Sequence, residues 1–467
     1  MAPFTLFDFQ RRVQNRYSFM PANNWRRRIQ LINRFLLIAF LCGGVYWFFS
    51  DRKPSHPGPA DVSLAQDSSS EDSSDTTNGE ESGEDDEDTS PVVDEDGTPV
   101  DTMAEVLPGQ PMYQRDSLLG LRIDQLLRQY KPHAAFYLVV DAHSNEILAW
   151  GGRSDSSVHS EPEWLSRATF PAASLIKMLT SVSALESSRF STNTEIPLIG
   201  RSTTLYSRQL KIPDSYKGPT ITLEDAFAKS CNPAMGIIGK QLGGKTLRKF
   251  AQRLGFNRPF PVGAPQPSCF VPPDTGYELA EAASGFTRKN TVSPLHIAAI
   301  VRALLEQTSL QIPWSHTIPA KYAPREPIPL DNSEFHPDTY FAMRQLFLRT
   351  ISNGTARKQM TRTVYAVNRE ALIIGGKTGS LDGDNPAGRY DWFAGFAQSK
   401  TNPQKAIVIV VMQVHVKIRT LPSPAIAGLL INQWSRETFG TKDPAPRVRR
   451  HVKAKAPAKA KSKSKKK

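Results

Sequence analysis

Ser174 and Lys177 stand three residues apart in the run 170–185, FPAASLIKMLTSVSAL. On a helix that spacing places both side chains on one face. Ile176, Leu179, Val182 and Leu185 recur at helical intervals, so the sequence predicts a buried helix opened by Ser174. Burial disfavours the ammonium form of a lysine. A neutral amine beside a hydroxyl can take its proton, which turns serine into a nucleophile for acyl transfer. Spacing alone does not select that chemistry, because Ser462 with Lys465 and Ser464 with Lys467 repeat it in a tail that can form no core.

Two further groups follow. Ser230-Cys231-Asn232 precedes Pro233, which cannot continue a helix and disfavours α geometry before it, so a hydroxyl and an amide are presented together on a turn. Lys377-Thr378-Gly379 ends an apolar strand after Gly375 and Gly376, where glycine permits close approach of a ligand. A lysine with a neighbouring threonine can bind a carboxylate through charge and hydroxyl together. Each pattern also arises elsewhere, as Ser191-Thr192-Asn193 and Lys245-Thr246 show, so their order and context carry the weight.

The elements that must position these groups can be read in outline. Residues 116–131 carry Leu119, Ile123, Leu126, Leu127 and Tyr130 on one helical side. Residues 135–141 and 146–151 form a predicted β-hairpin ahead of the serine helix. Helices are expected at 222–229, 233–242, 246–254, 294–307 and 338–352, strands at 371–380, 389–398 and 405–414, and a closing helix at 425–439. This pattern gives the fold class as α/β, one antiparallel sheet flanked by helices with a large helical insert.

The flanking segments have other characters. The 467 residues carry a net charge of +13, but the charge is segregated. Residues 1–30 read as an arginine-rich arm, and 31–50 as one N-terminal transmembrane helix of close to the ~20 residues a membrane span needs. The positive-inside rule leaves the arm in the cytoplasm and the rest outside, a single-pass arrangement. Residues 51–114, with seventeen carboxylates from Pro54 onward, read as a disordered acidic linker that holds residues 115–440 clear of the bilayer. Residues 441–467 form a basic tail with twelve Lys and Arg. On this topology the tail faces no nucleic acid, and anionic envelope polymers or the chain's own linker are its expected partners. Cys42, Cys231 and Cys269 show no zinc-ligand spacing, and a Cys231–Cys269 bridge is possible without being indicated.

In order and context the three motifs resemble those of the serine DD-peptidases, that is, the penicillin-binding proteins and the related serine β-lactamases. The resemblance spans roughly residues 116–439 and extends to AKSCNPAMGIIGKQLG around Ser230, SGFTRKNTVSPLHIAAIVRALLEQ, and the aromatic strand YDWFAGFAQ. It implies a peptidoglycan DD-transpeptidase that acts on the D-Ala-D-Ala end of stem peptides and is acylated by β-lactam antibiotics. It brings no metal and no cofactor. Under it Ser174 is the nucleophile, Lys177 the general base, with its pKa lowered further by Lys377, and Ser230 the relay to the leaving amine. Asn232 holds a substrate amide, Lys377, Thr378 and Gly379 line the substrate, and the backbone amides of Ser174 and Ser380 form the oxyanion hole. A DD-carboxypeptidase, a β-lactamase or a non-catalytic β-lactam sensor would share the motifs. No glutamate between Asn232 and Lys377 begins the Glu-x-x-Leu-Asn pattern of class A β-lactamases, and Asn232 stands where class D enzymes typically have an apolar residue. Neither a glycosyltransferase domain nor a sizeable pedestal is expected before residue 116.

Overall fold

The computed structural model describes residues 117–154, 163–259, 267–416 and 419–442. The arm, the apolar span, the linker and nearly all of the basic tail lie outside the described residues. Among the described residues no helix is long and apolar enough to cross a membrane.

Five strands make the central sheet: β1 (Ala134–Asp141), β2 (Ile147–Ser154), β3 (Leu372–Asp384), β4 (Ala387–Ser399) and β5 (Ala406–His415). Their order is β2-β1-β5-β4-β3, and every pairing is antiparallel. The expected hairpin of β1 and β2 is present. β5 inserts between β1 and β4, with Val139 opposite Ile409 and Phe393 opposite Val411, so the last strand joins the β1–β2 hairpin to the β3–β4 pair.

The unbroken apolar run of β5 follows from burial on both faces, since alternate side chains enter different cores. Ile407, Ile409 and Val411 pack with Leu119, Ile123 and Leu127 of α1 (Leu118–Tyr130) and with Ile426 and Leu430 of the closing helix (Ser423–Phe439). Val408, Val410 and Met412 face the helical insert. Burying a side chain of this size contributes about 1.5–3 kcal/mol, so this strand anchors both layers.

The insert comprises α2 (Lys177–Glu186), α3 (Leu223–Ala228), α4 (Asn232–Leu242), α5 (Gly244–Arg253), α6 (Tyr277–Ser284), α7 (Pro294–Glu306) and α8 (Pro337–Asn353). Two short helices, α9 (Arg357–Thr363) and α10 (Ala366–Ala371), lead into β3, and the closing helix is α11. α3 starts at the expected cap, where the Thr222 hydroxyl accepts from the amide of Asp225 at 3.2 Å. α6 was not expected from periodicity. Its small residues let it lie close to α4: a Cβ on Gly239 would fall 2.2 Å from that of Ala283.

Gly239→Ala should therefore force α4 and α6 apart, at a cost of about 1–3 kcal/mol. The expected result is a thermal midpoint several degrees lower; an unchanged midpoint would show that the contact relaxes freely.

Candidate active site

The chain reaches Ser174 under several restraints. Phe170–Pro171 pairs with Thr291–Val292, the Ala172 amide donates to the carbonyl of Asn290 at 2.9 Å, and Trp392 Nε1 donates to the carbonyl of Pro171 at 3.1 Å. Ser174 lies in a 3-10 turn, Ala173–Ile176, and α2 begins only at Lys177. The expected helix start is thus displaced by one turn. Ala173, whose φ of 48° is left-handed, opens this turn. Such a conformation costs an alanine roughly 1–2 kcal/mol, the kind of strain that collects at functional sites.

Lys177 is fully buried. Its Nζ lies 2.7 Å from Ser174 Oγ, 2.8 Å from Asn232 Oδ1 and 2.6 Å from the carbonyl of Ser284. Burial lowers its pKa to about 7. As a neutral amine it keeps two protons for the acceptors on Asn232 and Ser284, which leaves its lone pair for the Ser174 hydroxyl.

Lys377 is the second fully buried lysine. Its Nζ donates to Ser230 Oγ at 3.1 Å and to the carbonyl of Thr378 at 2.9 Å, and lies 5.5 Å above the centre of the Phe227 ring. Burial, and then the nearby Lys177, hold its pKa well below the usual lysine value. Burial is the largest cause of the lowered pKa at both amines, and the repulsion between them is mutual. Ser230, with a φ of 57°, sits on the break between α3 and α4 as expected.

Asn232 is held by the protein at both ends of its amide. Its Oδ1 accepts from Lys177 and its Nδ2 donates to the carbonyl of Thr203 at 2.7 Å, so both ends of the amide meet the protein's own groups. β3 runs directly past the serine turn: a Cβ on Gly379 would lie 3.3 Å from the amide nitrogen of Ser174. Ser380 Oγ accepts from Arg389 Nε at 2.8 Å. The hydroxyl of Thr378 meets that of Thr355, at the junction of α8 and α9. Cys231 and Cys269 are free thiols.

All eight residues singled out in the sequence thus lie in two adjoining groups, one around Lys177 and one along β3. Sequence reasoning missed Ser284, Thr355 and Arg389. Ser284 acts through its carbonyl, which leaves no trace in residue type. The glycines at 276 and 285 that bound α6 were the available cue.

Comparison with known proteins agrees with this fold. The family model of the penicillin binding protein transpeptidase domain matches residues 135–427. The chain is similar to the peptidoglycan D,D-transpeptidase PbpA of Mycobacterium tuberculosis, 28% identical over 131 residues, and to that of Mycolicibacterium smegmatis, 31% identical over 99 residues. These matches cover 25% and 20% of this chain and the same shares of the relatives, so the chain matches a quarter or less of their length. Among solved structures, the TP domain of Burkholderia pseudomallei penicillin-binding protein 3 superposes with a TM-score of 0.53 at 18% identity, covering 70% of this chain and 96% of that one. A peptidoglycan glycosyltransferase from Burkholderia ambifaria gives a TM-score of 0.50 at 18% identity, with 70% and 97% covered. At such identities the likeness is one of fold.

Because only the neutral form of Lys177 can take a proton, acylation of Ser174 should be slow below pH 7 and rise above it. Between pH 6 and pH 8 the rate of modification by a serine-directed acylating reagent, followed by mass spectrometry, should climb about tenfold. A flat profile over that range would remove Lys177 as the base.

Proposed function

The chain belongs to the penicillin-binding protein transpeptidase family, and we propose that it is a membrane-anchored peptidoglycan DD-transpeptidase working through a Ser174 acyl-enzyme. The observation that carries this reading is the 2.7 Å contact between Ser174 Oγ and the enclosed amine of Lys177.

Lys177 takes the Ser174 proton as Oγ attacks the carbonyl of the penultimate D-alanine. The amides of Ser174 and Ser380 stabilise the oxyanion, and the absence of a side chain at Gly379 leaves it room. Lys377 donates to Ser230, so Ser230 passes its proton to the leaving amine and recovers one from the lysine pair, which has taken the proton of Ser174. The peptide bond breaks, an ester forms at Ser174, and the terminal D-alanine departs. An amine from a second stem then attacks the ester and restores Ser174. Asn232 and the Ser284 carbonyl orient Lys177 during both halves. The hydroxyl of Thr378 binds the carboxylate that ends the donor peptide. β3 lies at the edge of the sheet, and its outward backbone groups suit an extended peptide. β-Lactams, which carry a reactive acyl group and a carboxylate, acylate the same serine.

The apolar span at 31–50 anchors the chain, with the domain outside the membrane, and the acidic linker sets its reach. The basic tail binds anionic envelope polymers. Deleting residues 442–467 should release the protein from isolated cell-wall material at lower salt than the full chain requires; equal retention would discard that role.

The central test follows the full chain and Ser174→Ala by mass spectrometry with a D-Ala-D-Ala stem peptide, with and without an acceptor amine. Loss of D-alanine with a new amide bond, absent from the variant, is expected. Hydrolysis alone would replace the transpeptidase with a carboxypeptidase. Stable penicillin acylation of Ser174 without peptide turnover would make the protein a sensor.

A further inference from the structure

Thr355 lies outside all three motifs, yet it joins two of them. Its hydroxyl is in hydrogen-bond contact with that of Thr378 on β3. Its amide donates to the carbonyl of Ala228, two residues before Ser230, at 3.1 Å. Gly354 makes that approach possible, since a Cβ there would lie 2.3 Å from the same carbonyl oxygen. The junction of α8 and α9 is therefore pinned to the end of α3 on one side and touches the edge strand on the other.

The proton count along this chain of groups has a direction. Thr355 Oγ1 has one proton and two oxygens within reach, Thr378 Oγ1 and the Ala228 carbonyl, the latter at 3.4 Å. The Ala228 oxygen already accepts from the Thr355 amide, and 3.4 Å is long for a hydroxyl donor. The Thr355 proton is thus better spent on Thr378. A threonine that accepts from a neighbour keeps its own proton to donate elsewhere. Both hydroxyls lie where solvent or a ligand reaches them, with Thr355 exposed and Thr378 partly so.

We propose that Thr355 is a positioning residue for acyl-donor recognition: its hydroxyl donates to Thr378 and thereby aims the Thr378 proton at the carboxylate that ends the donor peptide. This rests on the reading of Ser174 as the acylated residue and of Thr378 as the carboxylate's partner. Lys377 does not duplicate the function, because its contacts are with Ser230 and the Thr378 carbonyl. Through Ala228, the same junction fixes the spacing between the Ser230 turn and Thr378.

The test compares the full chain with Thr355→Val, which keeps the shape and loses the hydroxyl, and Thr355→Ser, which keeps the hydroxyl. Each is assayed on two peptides that differ only in ending as a D-Ala carboxylate or a D-Ala carboxamide. Thr355→Val should raise KM for the carboxylate peptide about tenfold with little change in kcat, and leave the carboxamide peptide within about twofold. Thr355→Ser should restore the carboxylate peptide. Added to Thr378→Val, Thr355→Val should have no further effect, since the two act as a unit. An equal loss on both peptides, or no loss on the carboxylate peptide, overturns the inference while Ser174 acylation stands. If the wild-type chain releases D-alanine from neither peptide, the underlying function fails and the role of Thr355 fails with it.

Discussion

The amine of Lys177 is fully buried, and a buried amine must find protein acceptors or forfeit about 1–3 kcal/mol for each one missing. Its partners come from three separate segments: the turn at Ser174, the start of α4 at Asn232 and the end of α6 at Ser284. Those segments must meet at one point, and each bends sharply to do so. Ala173, Ser230 and Gly285 all take positive φ values next to the groups they deliver. The same enclosure that demands these partners lowers the pKa of the amine to about 7. Structural requirement and chemical competence thus have one cause.

The sheet supplies the second half of the site through close backbone approach. Gly375, Gly376 and Gly395 let β3 and β4 lie against Phe347, Phe393 and Phe396; a Cβ on Gly395 would fall 2.2 Å from the Gly375 carbonyl. Held in this way, β3 passes the serine turn at Gly379 and sends Lys377 inward beneath Ser230. Thr378 points the other way, toward Thr355. Alternation along one strand therefore leaves the amine of Lys377 buried and the hydroxyl of Thr378 accessible.

Two buried amines close enough to repel cannot both hold a proton cheaply at neutral pH. The structure resolves the conflict by geometry. Lys177 faces the Ser174 hydroxyl, while Lys377 is confined to Ser230, the Thr378 carbonyl and the Phe227 ring. Asn232 belongs to this arrangement, and its contacts with Lys177 and Thr203 explain why an amide is needed there: one end must accept and the other must donate.

The sequence by itself determined the local choices. The apolar runs of β4 and β5 report burial on both faces, the period of 3.6 marks α1, α7 and α8, and Pro233 places the break that exposes Ser230. The residue types at 174, 177, 230, 232 and 377–380 already point to acyl-transfer chemistry. Only the tertiary structure decided how far each local pattern runs and what it touches. Ser174 stands in a 3-10 turn ahead of α2, behind a left-handed Ala173 whose neighbourhood is fixed by Asn290, Trp392 and Gly285, all distant in sequence. Helix α6 escaped notice because its burial rests on small residues fitted against Gly239, a signal of shape rather than hydrophobicity. The carbonyl of Ser284, the partners of Asn232 and the pairing of Thr355 with Thr378 were equally hidden. They depend on which backbone atoms become neighbours, and residue type does not encode that until the chain is packed.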